Sequence, residues 1–143
     1  MNMSNKGNPK KTILIVDDDR NITELTQIIL ESAGYNCFVV NSGRDCIKVL
    51  EEYKTKNGAD GKDKSEIDLI LLDVAMPGFS GIDVVSTLNK QKLYPSNQVV
   101  FFTASSSSIL EEGELKSIGV LDCFKKPFKK LDLLSAVQRY VAN

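Results

Sequence analysis

Five short apolar runs punctuate the chain, and each is followed by a stretch whose apolar residues recur at helical spacing. Residues 12–17 (TILIVD) form a continuous apolar run ending in acid, the pattern of a strand buried on both faces. Residues 20–33 then place Ile22, Leu25, Ile28 and Ile29 at helical spacing, with Gly34 positioned as a C-terminal stop. Residues 36–40 (NCFVV) read as a second strand, and residues 42–53 as a second helix carrying Ile47, Val49, Leu50 and Tyr53. A third strand at 67–73 (IDLILLD) again ends in an acid, and a third helix at 81–93 follows the Pro77-Gly78 turn signal. Residues 98–103 (QVVFFT) read as a fourth strand, ending in a hydroxyl. A helix over 106–117 is weakened by Gly113 and by its leading serines. Residues 120–125 (VLDCFK) are a fifth strand, and 129–141 a closing helix with Leu131, Leu134, Val137 and Val141 on one face.

Strict alternation of five β-α units predicts an α/β fold in which a parallel sheet is covered by helices on both faces. In such sheets ligands bind beyond the carboxyl ends of the strands. Two stretches stand outside the alternation. Residues 1–10 are polar with nothing to bury and read as a flexible tail. Residues 54–66 (KTKNGADGKDKSE) hold no apolar residue but Ala59 and read as an extended surface loop. One domain over 11–143 accounts for the rest, as the length of 143 residues suggests.

Composition narrows the functional classes. A formal charge of -1 argues against general attraction to nucleic acid or membranes. No window approaches the ~20 apolar residues of a membrane span, and the polar start does not resemble a signal peptide. A cytoplasmic protein is therefore expected. With no histidine in the chain, Ser-His-Asp and Cys-His catalysis, histidine metal ligation and phosphohistidine chemistry are all excluded on this chain. Cys37, Cys46 and Cys123 lack metal-like CxxC spacing and read as reduced thiols, with Cys37 and Cys123 buried in apolar runs.

The candidate chemistry lies where the strands end. Asp17, Asp18 and Asp19 follow the first strand, Asp73 ends the third, Thr103 the fourth, and Lys126-Pro127 follows the fifth. Should strands one and three be neighbours, Asp17, Asp18 and Asp73 crowd together, repel one another and raise one another's pKa. A small divalent cation relieves that repulsion, and an all-oxygen site suits Mg²⁺ best. A carboxylate in such a site is a nucleophile toward a phosphorylated donor. Transfer then needs the phosphoryl oxygens held, by Mg²⁺, the Lys126 ammonium and the Thr103 hydroxyl. Asp19, directly before the helical pattern, reads as a helix cap. Lys125, Lys129 and Lys130 read as a solvated face, without the aromatic interleaving of a nucleic-acid surface.

The segments ILIVDDD (13–19), LILLDVAMPGFSG (69–81), VVFFTAS (99–105) and FKKPF (124–128) resemble the receiver domain of two-component response regulators, over about residues 12–141. The resemblance implies a flavodoxin-like doubly wound (βα)5 sandwich with sheet order 2-1-3-4-5. It implies that Asp73 is the phosphoacceptor, Asp18 a direct Mg²⁺ ligand and Asp17 a ligand through metal-bound water. The backbone carbonyl of Ala75 would be the third metal contact, Thr103 the switch hydroxyl, and Lys126 the phosphate-binding lysine with a cis bond to Pro127. One position departs from the pattern. Cys123 stands where the family usually has Tyr or Phe, and strand alternation points Phe124 the other way. The output change is therefore expected in the loop after Thr103 and the glycine-weakened fourth helix.

The implied function is a stand-alone phosphorylation switch rather than an enzyme, at most catalysing its own phosphorylation and dephosphorylation. A sensor histidine kinase or histidine phosphotransfer protein would donate to Asp73, and the modified state would control a downstream protein target. Because the chain ends soon after the fifth helix, no attached output domain and no direct nucleic-acid partner are expected. Alternatives are a phosphorelay intermediate and an aspartyl-phosphate phosphatase. The latter usually needs a second acid two residues past the nucleophile, where this chain has Ala75.

Overall fold

Branched aliphatic side chains on both sides of a strand suit a sheet that is covered on both faces, and this pattern organises the molecule. A computed structural model of the chain describes residues 10–58, 67–104 and 117–142, the side chains of 56–58, 97, 103 and 104 excepted. Strands β1 (Thr12–Val16), β2 (Asn36–Val40), β3 (Leu69–Asp73), β4 (Val99–Ala104) and β5 (Asp122–Lys126) pair in parallel in the order β2-β1-β3-β4-β5. This is the expected doubly wound order, with β3 at the centre.

The period-two alternation of the strands divides the core in two. Ile13, Ile15, Leu69, Leu71, Val100 and Phe102 face helices α1 (Arg20–Ser32) and α4 (Lys130–Val141), which contribute Ile29, Leu30, Leu133, Val137 and Val141. The intervening residues Leu14, Val16, Ile70, Leu72 and Phe101 face α2 (Gly43–Gly58) and α3 (Gly81–Gln91), which contribute Cys46, Leu50, Val84, Val85 and Leu88. Each fully buried Leu, Ile, Val or Phe stabilises the fold by about 1.5–3 kcal/mol relative to its exposed state. The register cannot slip by one residue without exchanging the two cores.

Local signals set the ends. Asp19 caps α1, its carboxylate accepting the amides of Asn21 and Ile22, as expected. Gly34 follows α1 at φ 98°, where a side chain would be strained, and the Tyr35 amide turns back to the Leu30 carbonyl at 3.2 Å. Gly78 turns the chain at φ 79° before α3.

Two expectations change. The polar run at 54–66 does not begin as a loop: α2 continues through Gly58. In its later turns Glu51, Glu52, Lys54 and Thr55 are exposed, so these turns carry little apolar signal. They are held by Lys54, whose Nζ donates to the Gln91 and Lys92 carbonyls at 3.4 and 3.3 Å, and by a bond from Thr55 Oγ1 to the Glu51 carbonyl. Secondly, Cys46 is buried, but Cys37 and Cys123 are only half-buried. The expected tail at 1–10 (Lys10 excepted), loop residues 59–66 and the helix at 106–117 (Ser117 excepted) lie outside the described residues. Among the described residues no helix is long and apolar enough to cross a membrane.

Candidate functional site

At the carboxyl edge of the sheet, β1 and β3 are neighbours, and their terminal acids meet. Asp17, Asp18 and Asp73 each offer a carboxylate oxygen, and these oxygens lie within 4.8 Å of one another. Asp17 and Asp73 are almost wholly buried, at 2% and 5% exposure, whereas Asp18 is exposed. Buried acids this close need compensation. Lys126, delivered by the end of β5, supplies it: its Nζ donates to Asp17 Oδ2 at 2.8 Å and lies 3.6 Å from Asp73 Oδ1.

Two backbone amides also reach these carboxylates. Asp17 Oδ1 accepts the Asp19 amide at 3.0 Å, and Asp73 Oδ1 accepts the Ala75 amide at 3.3 Å. Burial, with Asp17 beside it, raises the Asp73 pKa to about 7, against the lowering influence of Lys126 and the Ala75 amide. For Lys126 burial works downward, but the hydrogen bond and charge of Asp17 and the charge of Asp73 outweigh it, and its pKa is raised.

Four of the sequence-predicted residues therefore converge: Asp17, Asp18, Asp73 and Lys126. Ala75 is exposed just past β3. Thr103 has its backbone at the end of β4, in register with Lys125 of β5, while its side chain falls outside the described residues. The Lys126–Pro127 bond is cis. Cys123 packs with the α2/α3 core, and Phe124 packs on the opposite face, its ring centroid 5.5 Å from Phe102 and 6.0 Å from Phe128. Burial and Asp122 raise the Cys123 thiol pKa, and burial pushes Cys37 and Cys46 up to about 12, so these thiols are poor nucleophiles.

Two residues at the site escaped sequence reasoning. Asn41, just past β2, donates from Nδ2 to the Asp17 backbone carbonyl at 2.9 Å. Gly81 lets α3 approach β3 so closely that a Cβ there would stand 2.6 Å from the Asp73 carbonyl oxygen. A lone Asn after a strand and a Gly at a helix start carry no signal of these contacts.

Comparison with known proteins adds the family. The response regulator receiver domain model matches residues 13–138. Regulatory protein VanR of Enterococcus faecium is 31% identical over 126 residues, which are 88% of this chain and 48% of VanR. The DNA-binding response regulator MtrA of Mycobacterium leprae is 30% identical over 129 residues, 90% of this chain and 50% of MtrA. The chain thus spans about half the length of the curated relatives it matches. Among solved structures, the CheY-like response regulator receiver domain protein from Methanospirillum hungatei JF-1 superposes with a TM-score of 0.73 at 25% identity, covering 92% of this chain and 94% of that one.

These relatives overturn the expectation of no direct nucleic-acid partner, since MtrA is a DNA-binding regulator. The near-neutral charge behind that expectation describes these 143 residues and cannot speak for relatives about twice as long. Nor does the point at which the chain ends bear on it. The sheet order, the matched span and the relatives agree on one assignment: the chain belongs to the response regulator receiver domains, signalling domains of two-component systems.

Proposed function

We propose that Asp73 accepts a phosphoryl group from a histidine phosphoprotein, either a sensor kinase or a phosphotransfer protein, in a Mg²⁺-dependent reaction. The modified domain then changes its affinity for a downstream protein. One arrangement carries this reading: three carboxylates within 4.8 Å of one another, with an ammonium 3.6 Å from the central one.

The donor set fits Mg²⁺. It is all oxygen, and two of its three acids are buried against a single cation. Asp18 and Asp73 would hold the ion through carboxylate oxygens, Ala75 through its carbonyl, and Asp17 through water. When bound, Mg²⁺ supplies positive charge that neutralises phosphoryl oxygens of the donor.

The chain's own residues supply the rest. An ionised Asp73 oxygen attacks phosphorus, and the phosphorus–nitrogen bond to the donor imidazole breaks with its electron pair returning to nitrogen. An acyl phosphate remains on Asp73. Lys126 moves from Asp17 to pair with the new phosphoryl oxygens, and the Thr103 hydroxyl binds another of them. These contacts favour one conformer over the other, which is how a local charge becomes a signal. Ala75 offers no side-chain acid to turn over external substrates, which favours signalling over catalysis.

Phosphoramidate with Mg²⁺, followed by intact mass measurement, tests the reading. The wild type should gain one hydroxylamine-labile phosphoryl group, and both Asp73→Asn and the EDTA-treated wild type should gain none. No gain on the wild type sinks the proposal, and a gain that persists in Asp73→Asn moves the site elsewhere.

A further inference from the structure

Asn41 lies outside the set of residues assigned to the reaction, yet its side chain is committed to the acidic turn. Its Nδ2 donates to the Asp17 carbonyl at 2.9 Å and to Thr23 Oγ1 at 3.4 Å, and Thr23 Oγ1 donates onward to the Arg20 carbonyl at 3.1 Å. Thr23 is buried and Asn41 half-buried, so the network sits partly within the fold. The Asp17 amide donates to the Val40 carbonyl at 3.3 Å. Both backbone polar groups of Asp17 are therefore held by the end of β2, and both of its carboxylate oxygens are held by Asp19 and Lys126.

A peptide group is planar, so fixing the Asp17 carbonyl oxygen also fixes the Asp18 amide and the Asp18 Cα in the same plane. Asp18 is exposed and sits on a turn. Asn41 is the side chain that holds this peptide plane from outside the turn. We infer that Asn41 is a positioning residue for the metal site, orienting the Asp17–Asp18 peptide so that both carboxylates face Asp73. The inference rests on the proposed reading of those acids as Mg²⁺ ligands. Partners that orient metal ligands typically change affinity by about 10–100-fold when removed. Action through one backbone carbonyl places Asn41 at the lower end.

The test is an amide NMR titration of the full chain with Mg²⁺ alone, following Asp18, with thermal melting of each variant. Asn41→Ala should weaken Mg²⁺ binding by about tenfold, and its phosphorylation rate should recover at saturating Mg²⁺. Asn41→Asp should also bind more weakly than the wild type, because it keeps the shape but loses the donor, although its added negative charge would by itself attract the cation. Ile29→Val, a core truncation remote from the turn, should lower the melting temperature and keep wild-type affinity.

Wild-type affinity in Asn41→Ala, or tighter binding in Asn41→Asp, would overturn the inference. So would an equal loss in Ile29→Val, which would make the effect one of stability. A wild type without Mg²⁺-induced shifts overturns both this inference and the metal reading. A wild type that binds Mg²⁺ but takes no phosphoryl group overturns only the proposed reaction.

Discussion

Asp73 holds its proton more tightly than an exposed aspartate because burial and Asp17 penalise its charged form. Its pKa rises from 3.8 in the unfolded reference to about 7 in the fold. Between those values the native state binds more protons than the unfolded one, so this group makes stability fall as pH rises. The penalty is absent below the unfolded value and fully present above about pH 7. Without Mg²⁺, Asp73→Asn should therefore stabilise the protein at pH 8 and change little near pH 4. Chemical denaturation across that range checks the sign, and equal effects at both ends would contradict it. Gly81 yields a second expectation. The Cβ of Gly81→Ala would meet backbone atoms at 2.6 and 2.9 Å, which cannot swing aside. The helix-propensity gain is outweighed, and a net loss of about 1–3 kcal/mol is expected in denaturant melts. At this scale Asp17, Asp18, Asp73 and Lys126 were legible because each stands at the end of an apolar run. Asn41 and Gly81 were not, because what they meet at the site is the main chain of Asp17 and Asp73, in other elements.

At the scale of elements, the apolar runs located every strand to within about two residues, because a sheet buried on both faces demands continuous branched residues. The helices were read where they face the core and missed where they do not. α2 continues to Gly58 past the exposed Lys54 and Thr55, with Lys54 tied to the end of α3, so hydrophobic spacing has little to report there. The run 36–40 alone resembles a central strand, and the sheet order that the receiver resemblance implies is what places β2 at the edge, with Phe38 exposed. Helix starts were more legible. Asp19 was assigned to capping rather than to the metal site, and its carboxylate does accept two first-turn amides. Asp19→Ala should cost about 1 kcal/mol of stability while leaving the Mg²⁺-induced shifts of Asp18 in place. Loss of those shifts at unchanged stability would instead put Asp19 in the metal site.

At the scale of the whole molecule, an ion pair crosses the carboxyl edge of the sheet: Lys126 from β5 reaches Asp17 just past β1, beyond β4 and β3. It spans 109 residues of sequence and holds the two acids in check without a metal. The Lys126 side chain is 17% exposed and the Asp17 side chain 3%, so the pair is close to buried. Lys126→Met should cost near the lower end of the roughly 3–5 kcal/mol for breaking a buried pair. The loss should be larger at pH 8 than at pH 5. Lys126 lowers the Asp73 pKa, so its removal pushes that carboxyl further up, and protonation at low pH then relieves the repulsion. On the proposed reading Mg²⁺ and Lys126 answer the same need, positive charge beside Asp17 and Asp73, and in the wild type the ion would enter a site whose charge is already partly balanced. Ligand stabilisation grows with the affinity of the native state, so added Mg²⁺ should stabilise Lys126→Met by more than it stabilises the wild type. Denaturant unfolding of both proteins at pH 8, with and without Mg²⁺, measures this directly. Equal Mg²⁺ stabilisation of the two would show that lysine and metal do not compete, and that Lys126 leaves Asp17 only when phosphate arrives.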